Sequence, residues 1–327
     1  MIVSRTPLRI SFFGGGTDYP GWSKVHGGAV LSATIDKYCY LTVRRLPPFF
    51  AHKNRIVYRQ IETTTTTDEI IHPTVRAVLQ HLDLHGMEIH HDADIPARSG
   101  MGTSSAFTVG LLNACHALTG TRVTKSALAS TAITLEQDVL KETVGSQDQV
   151  AAAFGGLNHI RFPAGENAAY FSVEPVPLRA GRLDELHRHL LLFFTGISRT
   201  ASEVADTFVP ELAKGRILDA SAASVATGLE ILTGRGPIEV FGEVLDNAWT
   251  KKRMLSAAVS TPEIDRLYAA GRAAGAIGGK LLGAGGGGFL LIFARPEDHN
   301  AIRAALGLLH VPFRFESDGS RIMVYDP

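Results

Sequence analysis

The sequence predicts a chain that mixes α-helices with β-strands, in one large or two modest domains. Segments with alternating apolar residues, such as 38–43, stand between segments with helical spacing, such as 75–82. Glycine-rich turns interrupt them in three places, at residues 14–16, 100–102 and 283–288. Of the 327 residues, 45% are apolar, which is enough for a sizeable core.

Composition excludes several classes of function. Lys plus Arg and Asp plus Glu number 32 each, so no overall charge favours nucleic acid or an anionic membrane. Cys39 and Cys115 lie far apart and form neither a disulfide framework nor a metal-site spacing, which favours a reducing compartment. The N-terminus has no signal-peptide pattern, and no apolar run reaches about 18 residues. We therefore expect a soluble, cytoplasmic protein without nucleic-acid or membrane partners.

The chain opens with a strand-like pattern in residues 1–13, followed by Gly14, Gly15 and Gly16. Three consecutive glycines cost backbone entropy, which indicates either the close approach of a ligand or a flexible hairpin loop. The next elements are predicted strands at 29–35, 38–43, 56–62 and 87–91, with a helix near 75–82. His81, His85, His90 and His91 match no metal-site spacing and are interpreted as a solvated group.

The stretch from Pro96 to Ala106 is the strongest candidate site. Gly100 and Gly102 allow a ligand to approach the main chain, and Thr103 or Ser104 can cap the helix that follows. Free N–H groups at a helix start, with the positive end of the dipole, form an anion site suited to phosphate. An ordinary capped helix after a glycine turn is the alternative, and this stretch alone does not decide between them.

The second part of the chain contains two further signals. Ser146 and Gln149 have the spacing of a capping box, which predicts that Asp148 lies in the first turn of a helix and stays ionised. Strands are predicted at 157–162, 170–173 and 190–194, followed by alanine-rich helix over much of 200–275. Residues 283–288 are all Gly or Ala and precede an apolar strand, so a third turn could meet a ligand.

The three glycine motifs, in this order, resemble those of the GHMP kinases, the group of galactokinase, homoserine, mevalonate and phosphomevalonate kinases. The middle family pattern, Pro, three residues, Gly-Leu-Gly-Ser-Ser-Ala, is similar to residues 96–105, with Met101 for Leu, Thr103 for Ser and Ser105 for Ala. Residues 280–288 are similar to the C-terminal pattern, and residues 7–19 to the sugar-kinase form of the first. The glycines fit neither a P-loop nor a dinucleotide-binding fingerprint.

The resemblance implies an α+β, two-domain GHMP kinase fold. Residues 1–175 would form a ribosomal S5-like N-terminal domain with the phosphate loop, and residues 176–327 a ferredoxin-like C-terminal domain. The active site would lie between them. ATP and Mg²⁺ would be the cofactors, and the oligomeric state, a homodimer among the candidates, is not fixed by the sequence.

The resemblance also assigns roles to residues. Asp148 would accept the substrate proton, or only position the hydroxyl, and Arg9 would lie beside it. Ser104 and Glu136 would hold Mg²⁺, although the interval from Glu136 to Asp148 departs slightly from the family pattern. Asp18, Gly15, Gly16, Gly285 and Gly286 would meet the substrate. The ATP phosphates would be bound by Arg98, Ser99, Gly100, Met101, Gly102, Thr103, Ser104 and Ser105.

Within the family, the motifs resemble most the kinases that phosphorylate the anomeric hydroxyl of D-glycero-D-manno-heptose 7-phosphate, on a route to GDP-heptose. Gly15 and Gly16 stand where galactokinases carry Glu-His, which argues against galactose. A 7-phosphate would need cations, for which Lys24, His26, Arg98 and Arg199 are candidates. The alternatives are a C1 kinase of an unphosphorylated sugar, of the fucokinase or galactokinase type, and a non-catalytic sensor of sugar or nucleotide.

Overall fold

The computed structural model describes residues 1–97, 99–165, 171–197, 201–212 and 218–327. Its first sheet has eight strands, in the order β12-β1-β2-β5-β3-β4, with β6 paired to β2 and β7 to β6. The strands are β1 (Ile2–Phe13), β2 (Gly28–Arg45), β3 (Asn54–Val57), β4 (Ile61–Thr64), β5 (Met87–Ala93), β6 (Leu157–Phe162), β7 (Ser172–Pro175) and β12 (Arg321–Tyr325).

Strand β2 organises this sheet because it is long enough to have two sets of neighbours. It pairs with β1 along most of its length, while its other edge pairs first with β6 and then with β5. Only the β3–β5 pairing is parallel among the strand pairs of the described ranges. The sequence divided β2 into strands at 29–35 and 38–43, and the structure joins them through residues that keep extended backbone.

Helices cover one face of the first sheet. They are α2 (Pro73–His81), α3 (Thr103–Leu118), α4 (Lys125–Thr134) and α5 (Gln147–Phe154), while the short α1 (Pro20–His26) follows the first glycine turn. Helix α3 packs on β1 and β2 and is almost wholly buried from Ser105 to Cys115. Its apolar residues surround the whole helix rather than one stripe, as burial on all sides requires.

The second sheet is antiparallel, with four strands in the order β11-β8-β10-β9. The strands are β8 (Leu190–Phe194), β9 (Gly278–Leu281), β10 (Phe289–Phe293) and β11 (Leu309–His310). The helices of this half are α6 (Arg182–Arg188), α7 (Ala201–Ala205), α8 (Val209–Leu212), α9 (Asp219–Thr233), α10 (Glu239–Arg253), α11 (Pro262–Ala273) and α12 (His299–Leu306).

The two sheets are connected by a shared apolar contact. Phe12 and Phe13, at the end of β1, both meet the ring of Phe241 on α10 edge-on, with centroid distances of 5.4 and 4.9 Å. Helices α9 and α10 also pack on β1. The end of β1, where the first glycine turn begins, is therefore held between the two halves.

The fold is the α+β arrangement that the sequence predicted, with two local corrections. Residues 56–62 are not one strand but the hairpin β3–β4, which turns at residues 58–60. The last strand, β12, returns to pair with β1, so the C-terminal part of the chain contributes to the first sheet. The division at residues 175 and 176 stays a prediction. Throughout the described ranges, each helix is too short or too polar to span a bilayer.

Candidate active site

A cavity of about 1260 Å³ lies between the two halves. Its walls come from the end of β1, the first glycine turn, the starts of α3 and α5, helix α10 and the third glycine turn. Predicted site residues that line it are Arg9, Gly15, Gly16, Asp18, Gly100, Gly102, Thr103, Ser104, Ser105 and Asp148. Segments far apart in the sequence are thus brought to one chamber.

The loop before α3 has the geometry of an anion site. Gly100 and Gly102 have φ angles of 78° and 75°, the left-handed region that glycine tolerates best. The Gly102 carbonyl accepts the first hydrogen bond of the helix, from the Ala106 N–H at 2.9 Å. The N–H groups of Thr103, Ser104 and Ser105 come before Ala106 in the first turn, where a helix provides no acceptor for them. These three residues line the cavity, so their N–H groups are suited to an anion.

Two predictions about helix caps are wrong. Gly102 itself is the N-cap of α3, without a side-chain cap from Thr103 or Ser104. The Ser146 hydroxyl does not cap α5 but accepts a hydrogen bond from Gln137 Nε2 at 3.1 Å. Asp148 nevertheless lies in the first turn of α5, where the helix dipole favours a carboxylate.

Arg9 and Asp148 form a two-point ion pair at the centre of the cavity wall. Arg9 Nε donates to Asp148 Oδ1 at 2.7 Å and Nη2 donates to Oδ2 at 2.8 Å. Arg9 Nη1 donates to the Gly100 carbonyl at 2.7 Å, so one guanidinium fixes both the carboxylate and the loop. The Asp148 side chain keeps 25% exposure, which leaves it accessible from the cavity.

Asp18 is buried and connects the first glycine turn to α5. Its Oδ1 accepts from the Gly16 N–H at 3.1 Å and from Gln147 Nε2 at 2.9 Å, and its Oδ2 accepts from the Gln147 N–H at 3.1 Å. Burial, with the nearby charge of Asp148, raises the pKa of Asp18 to about 6 despite these hydrogen bonds. Asp18 therefore positions the turn and the start of α5, in addition to facing the cavity.

Glu136 lies behind the cavity wall rather than on it. Its Oε2 accepts from Ser105 Oγ at 2.8 Å and from Gln149 Nε2, while its Oε1 is buried without a hydrogen-bond partner in the described part of the chain. Burial raises its pKa to about 7. Glu136 lies in a π-helical turn, Leu135–Val139, which follows α4.

The third glycine turn packs against the loop before α3 by backbone contact. A Cβ on Gly283 would lie 2.5 Å from Gly100 Cα, and one on Gly288 would lie 2.2 Å from the Ser99 carbonyl oxygen. Gly283 and Ala284 line the cavity. Gly285 and Gly286, predicted to meet the substrate, instead pack against Val259, whose carbonyl accepts from the Gly286 N–H at 2.9 Å.

Some predicted residues are not brought to the cavity. Met101 is fully buried, and its carbonyl accepts from the Arg9 N–H at 3.1 Å, while Ser99 is buried at the contact with Gly288. Lys24 and His26 are exposed and do not line it. Arg98 and Arg199 lie outside the described residues.

Two cavity lysines were not predicted as site residues: nothing in the local sequence marks Lys252, and Lys280 was identified only as the first residue of the C-terminal motif. Lys280 Nζ donates to the carbonyls of Ser11 and Phe12, each at 2.9 Å. Lys252 Nζ, from the last turn of α10, donates to the carbonyls of Leu281 and Gly283. Only the packing of α10 against β9 places these ammonium groups beside the first motif.

One end of the cavity is aromatic. His72 stacks on Phe107 with centroids 4.8 Å apart and an angle of 16°, and His91 meets the same ring edge-on. Burial lowers the pKa of both imidazoles, which favours their neutral form. His91 is thus part of the cavity wall, which corrects its interpretation as a solvated histidine.

Comparison with known families gives two matches in the same order along the chain. Residues 69–156 match the GHMP kinases N terminal domain, and residues 231–308 match GHMP kinases C terminal. The first range contains the glycine turn before α3 and Asp148, and the second contains Lys252 and the third glycine turn.

Individual relatives agree with these matches. The chain is 27% identical to a D-glycero-alpha-D-manno-heptose 7-phosphate kinase of Campylobacter jejuni, over 93% of this chain and 92% of that protein. It is 27% identical to a bifunctional fucokinase/GDP-fucose pyrophosphorylase of Arabidopsis thaliana, over 89% of this chain but 30% of that protein. A solved D-glycero-D-manno-heptose 1-phosphate kinase from Bacteroides thetaiotaomicron superposes over 100% of both chains, with a TM-score of 0.78 and 25% identity.

Proposed function

Since the chain belongs to the GHMP kinases, and is a kinase that transfers a phosphoryl group to a small-molecule hydroxyl, we propose that its acceptor is the anomeric hydroxyl of a sugar phosphate. The acceptor of choice is D-glycero-D-manno-heptose 7-phosphate, and the product is the 1,7-bisphosphate, used for GDP-heptose and surface-glycan synthesis. The Campylobacter relative, similar over nearly its whole length, supports this choice. The alternative is an unphosphorylated sugar, for which the fucokinase relative argues.

The observation that carries the mechanism is the guanidinium of Arg9, which joins Asp148 to the loop at Gly100. In the proposed reaction the sugar oxygen forms a bond to the γ-phosphorus, and the bond from that phosphorus to the bridging oxygen breaks. ADP leaves with the electron pair, and the proton of the hydroxyl passes to Asp148. Phosphoryl transfer depends mainly on positioning and charge neutralisation, and a shared arginine supplies both.

Different parts of the cavity wall suit the phosphates and the adenine ring of ATP. The first-turn N–H groups of α3 would bind the phosphates, together with the positive end of the helix dipole. The flat contact of His72 with Phe107, beside His91, would hold the adenine ring in neutral aromatic surroundings. The first glycine turn and Asp18 would then meet the sugar at the other end.

Mg²⁺ is part of this proposal, and the residues present fit it. No group of three or more acidic, His or Cys side chains in the described ranges could hold a metal alone, so the ion would depend on phosphate oxygens and water, as Mg²⁺ commonly does. The cavity-facing hydroxyl of Ser104 is a hard oxygen donor that could complete the set, whereas Glu136, the second predicted ligand, is buried behind the cavity wall. Bound there, Mg²⁺ would neutralise phosphate charge.

An acceptor panel tests the proposal. Purified protein would be mixed with ATP, Mg²⁺ and, separately, the heptose 7-phosphate, the same heptose without phosphate, fucose or galactose. We expect ADP release to be fastest with the heptose 7-phosphate, and a ³¹P NMR signal from a phosphate at C1. Faster turnover of an unphosphorylated sugar would establish the alternative. ATP binding without turnover of any acceptor would indicate a sensor.

A further inference from the structure

Three basic side chains, Arg9, Lys252 and Lys280, lie together in the cavity wall. We call Lys252 and Lys280 the lysine pair. Lys280 has 7% exposure, and Lys252 is partly buried on α10. Both ammonium groups are held by backbone carbonyls, Lys280 on β1 and Lys252 on the third glycine turn. Their positions are therefore fixed by the fold.

Charge balance in this group is incomplete. Arg9 has a carboxylate partner in Asp148, but in the ranges that the structure describes no ion pair joins Lys252 or Lys280 to a carboxylate. Each ammonium group has three N–H donors and makes two hydrogen bonds there, both to carbonyls. Burying a cation without an anion is costly, so the site is built to gain from a bound anion.

The lowered pKa values of the two lysines reflect the cost of burying their charges. Burial, with the neighbouring charge of Arg9, lowers the pKa of Lys252 to about 7. The pKa of Lys280 is lowered well below its usual value by burial and by Lys252 and Arg9. An anion that binds among them relieves both the repulsion and the loss of hydration.

The position of Lys252 indicates which anion. Its Nζ donates to the Gly283 carbonyl, and the backbone of Gly283 touches Gly100 of the phosphate loop. Gly100 in turn accepts from Arg9, so Lys252 and Arg9 approach the same loop from opposite halves of the protein. The place between the loop and Asp148 is where the terminal phosphate of a nucleotide would pass to its acceptor.

We propose that Lys252 is a further catalytic residue, which contacts the terminal phosphate of ATP and neutralises its charge during transfer, with Lys280 fixed behind it. This inference rests on the proposed kinase function for the identity of the anion. The second half of the chain then supplies a cation to the phosphate from α10, with its ammonium group held at the third glycine turn. Specific recognition of ATP over ADP follows, because ADP lacks the group that Lys252 contacts.

Nucleotide binding without sugar tests this inference. Isothermal titration would give the affinities of the wild type, Lys252→Gln and Lys252→Met for the non-hydrolysable analogue AMPPNP and for ADP, each with Mg²⁺. Glutamine keeps a donor for the glycine-turn carbonyls but removes the charge. We expect the preference for AMPPNP over ADP to fall about tenfold in Lys252→Gln, while ADP affinity changes by less than about twofold.

Arg253→Met is the matched control, since Arg253 is the next residue on α10 and pairs with Asp265 at 2.8 Å, outside the cavity. It should keep the wild-type preference. An unchanged preference for AMPPNP over ADP in Lys252→Gln would overturn the inference. Equal losses of AMPPNP and ADP binding would also overturn it, because they indicate that Lys252 only holds the third glycine turn. If Lys252→Met does not fold, Lys252→Gln alone decides. Failure of the acceptor panel would overturn the proposed function without altering this binding test.

Discussion

Arg9 and Asp148 meet through two parallel hydrogen bonds, of 2.7 and 2.8 Å, and the remaining Arg9 nitrogen donates to the Gly100 carbonyl. The planar guanidinium thus uses three of its donors to connect a carboxylate on α5 with the loop before α3. A lysine could supply the charge but not this geometry. In the proposed reaction, the alignment of the acceptor with the nucleotide would therefore depend on arginine.

Arg9→Lys is expected to lower kcat about 100-fold, because the carboxylate and loop lose their common support. Steady-state kinetics with the best acceptor would measure this, and the KM for ATP should change much less. Arg44→Lys is the control: Arg44 also donates to a carboxylate, Glu88, but lies away from the cavity. Equal kinetics for Arg9→Lys and Arg44→Lys would contradict the role given to Arg9.

Asp148→Asn is expected to abolish turnover while ATP affinity stays nearly intact, since the amide cannot take the proton of the hydroxyl. Asp138→Asn serves as the matched control, because Asp138 is exposed and does not line the cavity. Turnover and nucleotide titration would be measured on both variants. Activity within about tenfold of the wild type in Asp148→Asn would leave Asp148 as a positioning group.

Local sequence predicted much of the fold and the glycine turn before α3, because glycine turns and apolar periodicity are local signals. It did not predict the lysine pair. Lys252 lies in the last turn of an ordinary amphipathic helix, and its proposed role rests on the contact between Gly283 and Gly100, residues far apart in the chain. The incorrect placement of Gly285 and Gly286 at the substrate has the same cause. A glycine turn indicates that some group lies close to the backbone, but the sequence does not show whether that group is a ligand or, as here, Val259.

The serines of the middle motif are expected to separate by function. Ser104→Ala should raise the Mg²⁺ concentration needed for half-maximal activity without lowering the melting temperature, since the Ser104 side chain is exposed at the cavity. Ser105→Ala should lower stability by about 1–3 kcal/mol, because it removes a donor from buried Glu136. Metal titration and thermal melts would measure these effects. An unchanged metal titration in Ser104→Ala would remove Ser104 from the metal site.

Asp18 is expected to make stability depend on pH. Its pKa is about 6 in the folded protein, against an ordinary value of 3.8 in an unfolded chain, so the folded state keeps a proton that the unfolded state has lost. Its contribution is full below pH 3.8 and decreases as pH rises through 6, by about 3 kcal/mol in all. Urea denaturation from pH 4 to 7 should show that Asp18→Asn lacks this decrease. Parallel pH curves for the two proteins would exclude it.

Gly283→Ala tests the contact between the third glycine turn and the phosphate loop. Gly283 has a φ of 70°, and its new Cβ would lie 2.5 Å from Gly100 Cα. Gly120→Ala is the matched control, because Gly120 has a φ of 68° but no atom within 4 Å of the added Cβ. Both variants carry the strain of a left-handed alanine, about 1–2 kcal/mol, and only Gly283→Ala must also separate two backbones.

We therefore expect Gly283→Ala to melt well below Gly120→Ala and to bind ATP at least about tenfold more weakly, since the clash distorts the backbone at Gly100 that would face the phosphates. Thermal melts and nucleotide titration on the two variants would measure the difference. The added Cβ would meet backbone atoms of Gly100 rather than a flexible side chain that could move aside. The clash must therefore displace one of the two turns. Equal melting temperatures with unchanged ATP affinity would mean that the turns separate freely and that their contact does not shape the site.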